Sequence, residues 1–165
     1  MNEVIEELKK ESLRIEEDVT FSGKRHFNAA SRWEGYHNKL GIPSTALSAV
    51  AGLSAFADYP TLAGIIAIST AAITAVFTFL KTDERASKHR AVGNGYFSLK
   101  NEARIFRNIE CATITDFEQL KSRIVELSDR RNQLNEQAPE TTDDDFQTAR
   151  AGIEEGQQEY QTDKP

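Results

Sequence analysis

LGIPSTALSAVAGLSAFADYPTLAGIIAISTAAITAVFTFL, residues 40–80, carries a single charge, Asp58, in 41 positions. Asp58, Tyr59 and Pro60 form a turn triplet. It leaves an arm of 18 residues before it (Leu40 to Ala57) and one of 20 after it (Thr61 to Leu80). At about 1.5 Å rise per residue, a helix of either length reaches roughly 27–30 Å, close to the hydrocarbon thickness of a bilayer. The stretch predicts a transmembrane helical hairpin. In the second arm Leu62, Ile65, Ile66, Ile68, Ile73, Val76, Phe77, Phe79 and Leu80 each favour insertion by about 0.3–0.6 kcal/mol near a helix centre, or about 3–5 together. The threonines return part of that. The first arm has fewer large residues, plus Pro43 and three serines. It is marginal alone, so the arms are expected to insert as a pair. The alternative, a hairpin buried in a soluble bundle, must hide two consecutive runs of spanning length in a chain of 165 residues.

The flanks orient the hairpin. Residues 20–39 hold Lys24, Arg25, Arg32 and Lys39 against Glu34; residues 81–100 hold Lys81, Arg85, Lys88, Arg90 and Lys100 against Asp83 and Glu84. Basic residues stay cytoplasmic, so both termini are expected in the cytoplasm and Asp58 outside. The first 20 residues are too charged for a signal peptide. Net charge is −6, with acid near both ends and base beside the hairpin. That pattern argues against nucleic acid and suits contact with anionic lipid headgroups. One cysteine, Cys111, excludes an internal disulfide framework and reads as a helix-end packing residue.

Strand-like alternation is nearly absent, so the expected fold is all-α: a transmembrane hairpin (40–80) between cytoplasmic helices at 1–39 and 81–165. Ile5, Leu8, Ile15 and Val19, with Ser12 filling the missing step, stripe a first amphipathic helix. Thr20 to Gly23 reads as a break. Phe27, Trp33 and Tyr36 suit the headgroup zone. Gly41 and Pro43 interrupt the path into the first arm and form a candidate hinge. After Leu80 no strong breaker precedes Gly93. Val92, Tyr96, Leu99, Ala103 and Phe106 keep a 4-3-4-3 spacing, continued by Ile109 three residues on, in a helix locally weakened by Gly93 and Gly95. Thr115 to Glu118 has the spacing of a capping box, opening a helix with Phe117, Leu120, Ile124, Leu127 and Leu134 on one seam and Arg131 as its odd member. Ala138-Pro139 ends it. Thr142 and three aspartates start a last helix striped by Phe146, Ala149, Ile153 and Tyr160, and the final five residues read as frayed. Single seams of this kind suit a bundle, within or between subunits.

Projected at 100° per residue, the second arm divides into large residues (Leu62, Ile65, Ile66, Ile73, Val76, Phe77, Leu80) and small or hydroxyl ones (Ala63, Gly64, Ala67, Thr70, Ala71, Thr74, Ala75, Thr78). In the first arm Ser44, Thr45, Ser48, Ala51, Gly52 and Ala55 oppose Leu47, Val50 and Leu53. Small residues four apart let helices approach closely. Two readings stay open: packing inside one hairpin, or a water-filled path lined by Thr70, Thr74 and Thr78 when several hairpins assemble. Asp58 sits at the turn and needs no partner. His26, His37 and His89 look scattered, without ligand spacing. There is no phosphate loop, nucleophile elbow or paired-carboxylate motif, so no enzyme, metal or cofactor is expected.

The order of parts, SRWEGYHNKLGIPSTALSAVAG, the tight hairpin, then FLKTDERASKHRAVGNGYFSLKNEARIF and two amphipathic helices, resembles the SLATT family, two-transmembrane proteins associated with SMODS nucleotidyltransferases and SLOG nucleotide sensors. The resemblance covers nearly the whole chain. It offers no catalytic residues to carry over. It implies a bacterial conflict or antiphage effector that oligomerises and breaches the inner membrane. No sensor domain is expected to be fused here, so the trigger is expected from a separate sensor protein or a diffusible nucleotide. The rival expectation is a non-conducting scaffold that clusters a soluble partner.

Overall fold

The computed structural model describes residues 2–160. Among them there is no strand; six α-helices and one π-helical turn follow in order. The frayed end expected for residues 161–165 lies outside the described residues. The chain forms two compact units, Met1–Ala29 with Lys88–Pro165, and Ala30–Ser87.

Helix α1 (Asn2–Phe56) runs without interruption, so the break expected at Thr20 to Gly23 does not exist. At Thr20 to Gly23 the glycine serves packing instead of a turn: a Cβ at Gly23 would sit 3.0 Å from the Phe97 ring and 3.3 Å from Tyr96 Cβ. At Gly41 and Pro43 the helix also continues. Pro43 has no N–H to give the Lys39 carbonyl. The hydroxyls of Ser44 and Thr45 bond the carbonyls of Leu40 (2.8 Å) and Gly41 (3.0 Å) in the same turn.

In the first unit, Ile15 and Val19 of α1 meet Tyr96, Leu99 and Ala103 of α3 (Thr82–Ile105) and Leu120, Ile124 and Leu127 of α5 (Phe117–Gln137) in one core. Ser12, in the gap of the α1 stripe, is fully buried and donates to the Ala103 carbonyl at 2.7 Å. The α3 stripe is borne out as far as Phe106, but Ile109 is 55% exposed. A π-helical turn, Phe106–Glu110, explains why. One extra residue in that turn shifts the register, and Cys111, at the start of the short α4 (Cys111–Thr113), enters the core in its place. Burial raises the Cys111 thiol pKa, as befits a packing cysteine.

The cap of α5 lies one residue later than the sequence spacing indicated. Asp116, not Thr115, is the N-cap, its carboxylate accepting from the amides of Glu118 and Gln119. Helix α6 (Asp143–Glu154) starts as expected at Thr142, with a capping box closed by Asp145. It ends before Tyr160, which leaves the helix stripe and instead lies over Lys100 and Arg104, 5.7 and 4.8 Å from its ring centre.

In the second unit α1 closes on a Schellman motif: Asp58 takes a left-handed conformation (φ 60°) and the Tyr59 amide bonds the Ser54 carbonyl at 3.0 Å. Pro60 then opens α2 (Pro60–Leu80), where a missing N–H costs nothing. Contrary to the continuous pattern read past Leu80, Lys81 is left-handed (φ 48°) and breaks the chain before α3.

Candidate functional site

Helix α2 begins the one segment among the described residues that is long and apolar enough to cross a membrane, with a mean hydropathy of 2.1 over its best window. Ile65, Ile68, Val76 and Phe79 stand 54–85% exposed, and so do Ile42, Leu53 and Phe56 of α1 at 68–92%. In water this apolar surface would be strongly unfavourable, at roughly 25 cal/mol per Å². A lipid surround removes that cost.

Around α2 the structure draws three strips where the sequence indicated two. The inward seam is Ala63, Ile66, Thr70, Ile73, Phe77 and Leu80, at 3-4 spacing, with only Ala63 and Thr70 below a tenth exposed. It takes members from both predicted faces. Opposite, in α1, Leu40, Ser44, Leu47, Ala51 and Ser54 turn inward. Most of the small-residue face of α2 is therefore not consumed by the hairpin. Ala67, Ala71, Thr74, Ala75 and Thr78 are exposed.

A groove of about 820 Å³ runs along this face, lined by Ser48 and Ala51 of α1 and by Ala67, Thr70, Ala71, Thr74, Ala75, Thr78 and Phe79 of α2. It gathers Ser48, Ala67, Thr70, Thr74 and Thr78 of the candidate positions. Ser44 and Ala63 lie in the seam, while Thr45 lines a separate cavity with Gly41, His37 and Phe77. Gly52 and Ala55 are exposed, with open space where a Gly52 Cβ would stand. Three hydroxyl protons of the groove are already committed: Ser48 donates to Ser44 O (2.9 Å), Thr70 to Ile66 O (2.9 Å) and Thr78 to Thr74 O (2.8 Å). A carbonyl only accepts, so these oxygens keep lone pairs for a neighbouring donor or water.

At the flank of the hairpin, Trp33 packs edge-on to Tyr36 (5.7 Å between ring centres). The guanidinium carbons of Arg85 and Arg32 lie 4.8 and 5.2 Å from its ring centre. An aromatic ring with cations on it suits the headgroup level, where apolar carbon and polar edges are both satisfied.

Two of the histidines are not scattered. His26 and His89, both buried, place their Nδ1 atoms 2.9 Å apart, so one proton lies between them. His26 stacks on Tyr96 (5.7 Å), and its Nε2 is buried without a partner. Burial, then His89 and Arg25, push its pKa down to about 4, against an opposing pull from Asp145. Sequence spacing held a signal: His26 extends the α1 stripe of Ile15 and Val19, and His89 extends the α3 stripe back from Val92. No group of three metal-ligating side chains occurs among the described residues.

A helix of spanning length, apolar residues turned outward along both arms and an aromatic, basic flank define an all-α membrane protein. The chain belongs to the SMODS and SLOG-associating 2TM effector domain family 4, which it matches over residues 11–164. No curated protein and no solved structure matches it. Membership gives the chain a membrane effector role.

Proposed function

We propose that the chain is the membrane-permeabilising effector of a bacterial antiphage or conflict system. It acts as a homo-oligomer in the inner membrane, with both termini cytoplasmic. The observation that carries the reading is the unfilled groove of Ser48, Thr70, Thr74 and Thr78. One hairpin cannot enclose a pore. A strip of alanines and threonines gains little from lipid, and gains packing and hydrogen bonds from another helix or from water. The basic flanks favour the cytoplasmic orientation. A separate sensor protein or a nucleotide supplies the trigger by binding one arrangement of the helices better than another. Pro43, where α1 lacks a ladder bond, is the point of least resistance to such a change, with Gly41 beside it. The role is non-enzymatic and involves no cofactor or nucleic acid.

Dye release from liposomes holding purified protein tests this, with Thr74→Leu and Thr78→Leu compared against the lipid-facing Ile68→Leu. The expected result is leakage lost in the two threonine variants and kept in Ile68→Leu, with insertion unchanged in all three. Equal leakage in all removes the groove from the conduction path. An oligomer that never leaks, even with a triggering partner present, points to the scaffold.

A further inference from the structure

The unit formed by Met1–Ala29 and Lys88–Pro165 holds a cleft of about 760 Å³ between α1, α5 and the loop into α6. That volume falls in the range of small-molecule sites, about 300–1,000 Å³. Its walls are chemically divided. Phe21 and Phe146, ring centres 6.5 Å apart, make an aromatic side. Arg25, Arg131 and Asn135 make a side rich in donors.

The two arginines differ. Arg131 is already paired with Asp18 at 3.1 Å. Arg25 makes no ion pair among the described residues, and its Nε is buried without an acceptor. The oxygen of Asn135 is taken by the Tyr96 hydroxyl at 2.8 Å, so its amide nitrogen, a donor, remains for other contacts. A half-buried guanidinium without a carboxylate, beside an aromatic wall, is suited to a ring-bearing anion. The charge also sets an upper limit. Arg25 and Arg131 share the lining with Asp18 and Glu140, and of the two arginines only Arg131 is paired, with Asp18. A single phosphate finds its counter-charge in Arg25, whereas a triphosphate brings charges that nothing in the cleft offsets. The two acids in turn suit hydroxyl or amino donors on the same ligand.

We propose that this cleft binds a mononucleotide-sized, ring-bearing monophosphate, its phosphate on Arg25 and its ring against Phe21 and Phe146. Binding here does not require that the hairpin conduct, so it stands or falls separately from permeabilisation.

Calorimetry on the full chain in nanodiscs tests it, with adenosine monophosphate as probe and adenosine, inorganic phosphate and adenosine triphosphate as the other arms. The monophosphate is expected to bind tightest. Arg25→Gln is expected to weaken it by roughly 10- to 100-fold, the loss of a hydrogen bond to a charged group. Arg25→Lys, which keeps the charge without the fork, is expected to fall between. A histidine-ring NMR titration adds a readout that simple misfolding does not mimic. Anion binding at Arg25 removes one of the charges depressing His26, so the His26 pKa is expected to rise with ligand. Inorganic phosphate binding as tightly as the nucleotide overturns the ring contact. Adenosine binding as tightly overturns the role of Arg25, and tighter triphosphate binding overturns the charge argument. No binding by the monophosphate, or equal binding in Arg25→Gln, overturns the site.

Discussion

Acid should loosen the helical unit that contains His26 and His89. One proton fits between Nδ1 atoms 2.9 Å apart; a second sets two N–H donors head to head in a buried site. The His26 pKa is held at about 4 against an ordinary 6.5. An unfolded chain therefore takes up its proton near pH 6.5, while the folded chain resists until near pH 4. Stability is full above the unfolded value and is lost as pH falls between the two. At about 1.4 kcal/mol per pH unit the complete loss is about 3 kcal/mol, and going from about pH 7.5 to about pH 5 costs about 2. Against a total of about 5–15 kcal/mol for a typical domain, that is measurable. Urea unfolding followed by circular dichroism at the two pH values reads it, with His26→Gln as the variant that cannot titrate. The wild type is expected to lose stability in acid and the variant to lose much less. Equal wild-type stability at both pH values, or an unchanged acid response in His26→Gln, refutes the reasoning.

Three further changes test the packing. Leu127, fully buried in the core, should cost about 2–5 kcal/mol on truncation to alanine, read by the same denaturation. Asp116→Ala should cost about 1 kcal/mol through loss of the α5 cap, whereas Thr115→Ala should be near neutral; the reverse order would return the cap to Thr115. Pro43→Ala gives α1 an amide to close its ladder at Lys39, so hydrogen exchange around residues 39–45 should slow while membrane insertion stays the same.

The hairpin was legible because spanning length and the absence of charge are one-dimensional properties of residues 40–80. The α1, α3 and α5 seams were legible because 3-4 spacing survives in any helix packing. What failed were local features read without their neighbours. Gly23 resembled a break, yet its missing side chain admits the Phe97 ring. The Ile109 stripe followed ideal α periodicity that the π-turn does not keep. Lys81 carries no sequence mark of a left-handed residue, so the break between α2 and α3 passed unseen, although the apolar arm ends at Leu80 in both sequence and structure. His26 and His89 were overlooked because they were judged as ligands by mutual spacing, when each stood on a stripe of core residues. Arg131, the odd residue on the α5 seam, is explained only in three dimensions, by Asp18 and the cleft.

The division of α2 into three strips bears most on function. In projection the seam of Ile66, Thr70, Ile73 and Phe77 lies between the large residues, centred on Ile65 and Val76, and the small strip of Ala67, Ala71, Thr74 and Thr78. Large side chains lose little by facing lipid, since acyl chains are as apolar as they are. Alanine and threonine reach less far, so their advantage lies in allowing another backbone close. The Thr78 hydroxyl sharpens the point: with its proton committed to the Thr74 carbonyl one turn back, it is tolerated in hydrocarbon yet keeps acceptor lone pairs. A helix meant only to anchor the chain would need neither feature. Of two apolar strips with different contours, one is spent inside the hairpin and one is left open, and the open one is the surface on which the proposed assembly of hairpins depends.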